Sequence, residues 1–191
     1  MITYVLMNFK PYQHVIFDFD KTLATLIIDW SGWEQMVATL IKKYQPDFDE
    51  NTQLHMYSIN EYVNQYGKAF YQDYADLEIA LEREHYQGYE VVEKSFNLLQ
   101  KLHQQQKILY LLTSNSQNTV IPILKELGVF NYFSKIVALE NVENLKPSSM
   151  PFKLISNGLD DKNTYLMIGD SRSDRGFAHN TGIAYLDIKD F

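Results

Sequence analysis

The sequence has no cysteine, no long apolar run and little positive charge, and each lack excludes a class of protein. Without cysteine, the chain of 191 residues has no disulfide, no thiolate zinc site and no cysteine nucleophile, as is common in a reducing cytoplasm. No stretch approaches the roughly 18 apolar residues that a membrane span needs. The start, MITYVLMNFKPYQ, lacks the charged region and apolar segment of a signal peptide. We therefore expect a cytoplasmic protein with no membrane association.

The low content of positive charge limits the kinds of partner that the protein can bind. The 17 Lys and Arg residues face 24 Asp and Glu residues, which gives a formal net charge of -7. Binding to nucleic acid requires a basic stripe, and none is visible, so we expect no nucleic-acid partner. A small phosphorylated metabolite stays compatible with this charge, because a bound cation can invert the field of a local site. The length suits one buried domain with a modest insertion, as a monomer or a homodimer.

Short apolar runs alternate with helical patterns in the second half of the chain. Strands are predicted at residues 108–112, 136–139, 166–168 and 183–186, after a first strand at 15–17. Helices are predicted from about residue 92, over 120–127 with Gly128 closing the helix, and over 151–155. This alternation predicts an α/β fold with a Rossmann-like parallel sheet and helices on both faces.

Residues 24–88 have a different character. They are rich in Tyr, Glu, Gln and Asp, show no comparable strand run, and contain helix-compatible stretches at 33–44 and 73–85. We predict a small helical cap at 24–88, inserted after the first strand into a core domain of residues 1–23 and 89–191. Trp30, Trp33 and the eight tyrosines from Tyr44 to Tyr89 either line a pocket or pack the core of the cap.

Two acidic segments follow predicted strands. Asp18 and Asp20 end the first strand, and because strand side chains alternate, both carboxylates point the same way. Asp170 and Asp174 follow the strand at 166–168, with Gly169 permitting a tight turn. The carboxyl ends of parallel strands share one edge, so these groups predict an oxygen-ligand site of the kind Mg²⁺ prefers. The alternatives are an acidic turn for the first pair and a helix N-cap for Asp174.

Two further segments carry groups that suit phosphate. Ser114 and Asn115 follow the strand at 108–112, where they can donate hydrogen bonds to a ligand; the alternative is a helix N-cap, which Ser114, Asn115 or Ser116 would provide equally well. Thr113 is an adjacent hydroxyl that competes with Ser114 for this role. Lys146 precedes Pro147, which favours an extended backbone at the lysine. Its ammonium either offsets the clustered negative charge or lies in solvent.

Taken together, these segments resemble the haloacid dehalogenase superfamily of phosphohydrolases over nearly the whole chain. Residues 18–22 (DFDKT) are similar to its first motif, DxDx[TV], and residues 169–174 (GDSRSD) to its fourth, GDxxxD. Ser114 resembles the hydroxyl of the second motif, and Lys146 the lysine of the third. The inserted helices are similar to the small cap of phosphoglycolate-phosphatase-like members. Lys21 departs from the pattern, because many relatives have Gly there.

The resemblance implies a mechanism and a set of roles. It implies that Asp18 is the nucleophile, that Asp20 is the general acid and base, and that an aspartyl phosphate forms. It implies Mg²⁺ bound by Asp18, Asp20 (through its backbone carbonyl), Asp170 and Asp174, the last supporting the metal's water shell or holding Lys146. It implies a phosphate site of Thr22, Ser114, Asn115 and Lys146. We therefore expect a phosphatase acting on a small phosphate monoester, with a phosphomutase and a non-catalytic interaction protein as the alternatives.

Overall fold

The computed structural model describes residues 8–55, 58–156, 158 and 160–190, and these form seven strands and seven α-helices. The strands are β1 (His14–Phe17), β2 (Ala24–Ile28), β3 (Tyr86–Val91), β4 (Ile108–Leu112), β5 (Phe133–Val137), β6 (Tyr165–Gly169) and β7 (Ala184–Asp187). The helices are α1 (Trp33–Tyr44), α2 (Ile59–Tyr66), α3 (Lys68–His85), α4 (Glu93–Gln104), α5 (Gln117–Glu126), α6 (Phe152–Ile155) and α7 (Arg172–Thr181). Residues 1–7 and 191 of the predicted core domain, and Tyr57 of the predicted aromatic set, lie outside the described residues.

Five parallel strands make the core sheet, in the order β5-β4-β1-β6-β7. β1 is completely buried, and its side chains alternate between two hydrophobic clusters. Val15 and Phe17 pack with residues of α4 and α5 on one face, whereas Ile16 packs with residues of α6 and α7 on the other. A near-continuous apolar strand is what a sheet covered on both faces requires. The predicted α/β fold is confirmed.

Helices α1, α2 and α3 lie in the segment predicted to be a cap, and we call them the cap; they pack around a hydrophobic cluster that also includes Leu139 and Leu145. Many of its aromatic rings pack against one another there, including Tyr44, Tyr62, Tyr66 and Phe70. This arrangement confirms, for these rings, the interpretation that they fill the interior of the cap. None of the described helices combines the length and apolarity that crossing a membrane demands.

An antiparallel ribbon of β2 and β3 connects the cap to the core. The prediction that residues 24–88 lack a strand was therefore wrong for 24–28 and for the start of β3. Short β-branched segments such as Ala24–Ile28 form a strand when a partner is available, and here the partner lies about sixty residues away. Gly88, which ends the predicted cap segment 24–88, lies inside β3, so the chain does not return to the core at that residue.

Candidate active site

A cavity of about 690 Å³ lies between the carboxyl edge of the core sheet and the cap. Its core side, which we call the floor, consists of strand-end residues and the segments beside them: Asp18, Asp20, Lys21, Ser114, Asn115, Leu145, Lys146, Asp170, Ser171, Arg172 and Ser173. Its cap side, which we call the wall, consists of Trp30, Trp33, Glu34, Tyr74, Glu78 and Glu82. The floor lies beyond β1, β4 and β6, around the central strand of the sheet, where ligands bind in open α/β sheets. Six of the eight sequence-predicted site residues thus meet in one cavity.

Lys146 lies at the centre of the floor. Its Nζ donates to Asp18 Oδ1 at 2.6 Å, to Asp174 Oδ1 at 2.6 Å and to the backbone carbonyl of Leu112 at 3.2 Å. Burial lowers the pKa of this lysine, but the charges of Asp174 and Asp18 and their hydrogen bonds outweigh burial and raise the pKa above its ordinary value. Lys146 is therefore charged and holds two carboxylates from different motifs in place.

Asp18 is buried at the end of β1, with both carboxylate oxygens in contact with polar groups. Oδ1 accepts from Lys146, and Oδ2 accepts from the Thr22 hydroxyl at 3.2 Å. Burial and the charge of Asp174 raise the pKa of Asp18 to about 7, against the opposing effect of Lys146. Thr22 is fully buried and does not line the cavity, so the structure places it as a support for Asp18. Its predicted contact with phosphate stays a prediction.

Asp20 follows two residues later on the same side of the chain. Its Oδ1 accepts from the backbone N–H of Leu26 at 2.8 Å, which fixes the carboxylate against the start of the ribbon. Burial raises the pKa of Asp20, which favours the protonated form needed by a general acid. Lys21, between these residues and the ribbon, is exposed and has a φ of 56°, a conformation that favours glycine.

Three carboxylates converge at one edge of the floor. Asp18, Asp170 and Asp174 each offer an oxygen, and these oxygens lie within 4.8 Å of one another. Three closely spaced carboxylate oxygens suit a hard divalent cation, so the residues fit the predicted Mg²⁺. The carboxylate of Asp20 is not part of this group. Burial and the charge of Asp174 raise the pKa of Asp170, which reflects the repulsion that a cation would relieve.

Asp174 is held in place by the start of α7. Ser171 is the N-cap, and the Asp174 carboxylate accepts from its backbone N–H and hydroxyl, at 3.1 and 2.6 Å. Gly169 provides the space, because a Cβ at that position would lie 2.4 Å from Cγ of Asp174. The N-cap alternative for Asp174 was therefore wrong, because Ser171 is the N-cap and Asp174 is the third residue of a capping box, while the predicted contact of Asp174 with Lys146 is present.

The loop after β4 separates the two candidate hydroxyls. Thr113 is buried, and its hydroxyl donates to Asn115 Oδ1 at 3.0 Å, whereas Ser114 lines the cavity. The helix-capping role belongs to Ser116, which accepts from the backbone N–H of Asn118. Ser114 is thus the hydroxyl that the structure makes available to a ligand, and Asn115 lies beside it.

Two buried glutamates of the wall were missed by the sequence analysis. Glu78 accepts from Trp33 Nε1 at 2.5 Å and from the Tyr74 hydroxyl. Glu82 accepts from Asn115 Nδ2 at 2.8 Å and from the backbone N–H of Ser116 at 3.1 Å, so it joins the cap to the floor. Burial raises the pKa of Glu82 to about 7 although hydrogen bonds oppose the shift. The available signal was spacing, since both acids fall on the buried face of α3.

Comparison with known proteins identifies the class. The sequence profile of the haloacid dehalogenase-like hydrolases matches residues 15–188, so the chain belongs to this family. The predicted family and the predicted enzyme class, a hydrolase, are therefore confirmed.

Individual relatives match only part of the chain. The chain is 33% identical over 95 residues to pyrophosphatase PpaX of Halalkalibacterium halodurans, which covers 49% of the chain and 44% of that protein. It is 35% identical over 68 residues to a phosphoglycolate phosphatase of Neisseria gonorrhoeae, covering 35% of the chain and 28% of that protein. The chain thus aligns with less than half the length of either relative.

Solved structures show the same fold. A predicted phosphoglycolate phosphatase from Haemophilus somnus superimposes with a TM-score of 0.60 at 19% identity, covering 94% of this chain and 86% of that one. The HAD hydrolase YfnB from Bacillus subtilis, solved bound to magnesium, superimposes with a TM-score of 0.53 at 22% identity, covering 91% and 87%. At these identities the likeness concerns the fold.

Proposed function

We propose that the chain is a magnesium-dependent phosphatase that hydrolyses a small phosphate monoester through an aspartyl phosphate on Asp18. The observation that carries the proposal is the floor of the cavity. A buried nucleophile candidate faces open space there, beside a buried lysine and two further carboxylates. Membership of a hydrolase family, and two relatives whose names are those of phosphatases, support the same chemistry.

In the first step, an oxygen of Asp18 attacks phosphorus while the bond from phosphorus to the alcohol oxygen breaks. The electron pair of that bond stays on the departing oxygen, which takes the proton of Asp20. Acid catalysis of this kind contributes about 10²- to 10⁴-fold. The Ser114 hydroxyl would donate to a phosphoryl oxygen on which charge gathers, and the positive charge of the nearby Lys146 would stabilise the same developing negative charge.

In the second step, Asp20 takes a proton from water as the water oxygen attacks phosphorus. The bond from phosphorus to the Asp18 oxygen breaks, which releases inorganic phosphate and regenerates the carboxylate. Asp18, Asp170 and Asp174 are the carboxylates that would hold Mg²⁺, with the backbone carbonyl of Asp20. When bound, that ion orients the phosphate and screens the repulsion between anions.

We propose a small phosphorylated metabolite as substrate and the cytoplasm as location.

The test is phosphate release from a panel of phosphate monoesters, with Mg²⁺ and with EDTA, by the native protein and by Asp18→Asn. We expect release that requires Mg²⁺ and that falls below detection in the variant. Asp47→Asn, an exposed change in the cap, is the matched control and should keep native activity. A folded native protein that releases no phosphate from any ester would refute the proposal and favour a phosphomutase or a non-catalytic protein. Dehalogenation of haloacids without phosphatase activity would refute it as well.

A further inference from the structure

We infer that the alcohol part of the substrate carries an ammonium group, an inference that rests on the proposed phosphatase activity. The phosphate binds at the floor, so the rest of the ester faces the wall. The wall presents three aromatic rings and three carboxylates and no cation, whereas the cations that line the cavity, Lys21, Lys146 and Arg172, belong to the floor. The whole cavity, which the floor and the wall enclose, has a volume of about 690 Å³, which lies within the range of small-molecule sites.

The buried carboxylates of the wall have no cationic partner among the described residues. Glu78 is 2% exposed and accepts hydrogen bonds from two uncharged groups, those of Trp33 and Tyr74. Glu82 is 1% exposed and is likewise hydrogen-bonded by uncharged groups. An ionised carboxylate has about four acceptor sites, so Glu78 keeps capacity for another donor. Burying a charge without a partner is costly, and a cationic ligand would supply the missing partner.

The aromatic rings of the wall complete a site of this kind. Trp30, Trp33 and Tyr74 line the same cavity as Glu78. The face of an indole ring attracts a cation within about 6 Å, and carboxylates add to the attraction. The hydrogen bond from Trp33 Nε1 to Glu78 holds ring and carboxylate next to each other in the lining of the same cavity, so both are available to one ligand. An aromatic surface with a buried carboxylate is a chemistry that recognises amines and quaternary amines.

The basic residues of the cap do not compensate for these acids. Residues 24–92 contain twelve of the 24 acidic residues of the chain but only four of its 17 Lys and Arg residues. All four are in salt bridges with carboxylates: Lys42 with Glu50, Lys43 with Asp73, Lys68 with Glu143 and Arg83 with Glu84. None of the four lines the cavity. A carboxylate or second phosphate on the substrate would face like charge at the wall.

Three esters of similar size test the inference: 2-aminoethyl phosphate, 2-hydroxyethyl phosphate and phosphoglycolate. They end in an ammonium, a hydroxyl and a carboxylate. We expect kcat/KM to be at least about tenfold higher for the ammonium ester than for the hydroxyl ester, and lowest for phosphoglycolate. In Glu78→Gln the ratio between the ammonium and hydroxyl esters should fall by about tenfold, since only the ammonium gains from the charge. Glu61→Gln, an exposed change on α2, is the matched control and should keep the native ratio.

A binding measurement distinguishes a failure of the ammonium preference from a failure of the proposed phosphatase activity. The chain has two tryptophans, Trp30 and Trp33, and both line the cavity, so intrinsic fluorescence reports its occupancy. With Asp18→Asn protein and Mg²⁺, 2-aminoethyl phosphate should change the fluorescence at a lower concentration than the other two esters. Equal kcat/KM for all three esters, or a preference for phosphoglycolate, would overturn the inference and leave the phosphatase proposal intact. Tight ammonium-ester binding without turnover by the native protein would instead support the inference and overturn the proposed activity.

Discussion

Lys146 on the floor holds two buried carboxylates, Asp18 and Asp174, and the wall contains two more, Glu78 and Glu82, but the two regions stabilise these acids in different ways. On the floor, Asp18 and Asp174 share Lys146, and both ion pairs are 2.6 Å long. On the wall, Glu78 and Glu82 are hydrogen-bonded by uncharged groups alone. Both regions are built from buried acids, and they differ in whether the protein itself contributes the balancing cation.

This difference suits the floor to catalysis and the wall to recognition of the substrate. A carboxylate that is paired with a cation of the protein stays oriented whether or not a ligand is bound, as a nucleophile requires. A carboxylate without a cation gains most when a ligand brings one. The comparison therefore predicts large effects from changes that break the ion pairs of the floor, and smaller, pH-dependent or ligand-dependent effects from changes in the wall.

The largest effect is expected from Lys146→Met, which breaks the ion pairs of the floor. Two buried carboxylates would lose their shared cation, so the free energy of unfolding should fall by about 3–5 kcal/mol. Phosphatase activity should also fall below detection. Urea unfolding at neutral pH measures the first effect. Lys153→Met, at an exposed lysine, is the matched control and should change stability by less than about 0.5 kcal/mol. A similar small change in Lys146→Met would contradict the comparison.

Gly169→Ala tests the floor without removing a charge. The added methyl would lie 2.4 Å from Cγ of Asp174, which is fully buried and cannot retreat into solvent. We expect a loss of about 1–3 kcal/mol in the free energy of unfolding, as for other overpacked sites. Displacement of Asp174 from Lys146 should also lower activity more than tenfold. Activity within twofold of native, with Mg²⁺ present, would show that the position of Asp174 does not matter.

Trp33→Phe tests the wall. It removes the N–H that donates to Glu78 and leaves a buried acid with one donor fewer, which should cost about 1.5–3 kcal/mol of unfolding free energy. Trp30→Phe is the matched control, because no hydrogen bond of the Trp30 ring occurs within the described residues. If both variants lose the same stability, the lost area of the ring and not the hydrogen bond is responsible.

The smallest effect concerns Glu82 and pH. Burial raises its pKa from the model-peptide value of 4.5 to about 7 in the folded state, so the folded protein holds a proton that the unfolded chain releases first. The loss of this proton from Glu82 therefore lowers the free energy of unfolding as pH rises from about 4.5 through about 7. Glu82→Gln does not titrate, so the stability of the native protein relative to this variant should fall by about 1–2 kcal/mol between pH 6 and pH 8. A difference that stays constant with pH would show that the Glu82 pKa is ordinary.

The floor was predictable from the sequence because its residues follow strands. Asp18, Asp20, Asp170 and Asp174 each follow an apolar run within a few residues, and the geometry of parallel strands brings such segments to one edge. Lys146 was predicted from its motif, and the structure adds an ion pair with Asp18 to the contact with Asp174 that the resemblance already implied. The placement of Thr22 behind Asp18 could not be predicted, since its side-chain direction depends on the turn that contains Lys21.

The wall was much less predictable. Glu78 and Glu82 stand in a helix rich in polar residues, where an acidic side chain usually faces solvent. Their burial depends on how α3 packs against α1 and the loop before α5, which involves contacts between distant parts of the chain. The β2–β3 ribbon was missed for the same reason, because each strand is stabilised by a partner far away in sequence.

The ribbon also bears on how such a protein can evolve. Ala24 pairs with Val91, and the Leu23 carbonyl accepts from the Val92 N–H at 3.0 Å, so the chain leaves the core and returns to it at adjacent points. A gene segment inserted or exchanged between these two positions would alter the cap while β1 and α4 kept their places. The β2–β3 ribbon thus keeps the two ends of the cap segment together. Exchange of that segment by recombination could change the substrate and leave the catalytic residues of the core unchanged.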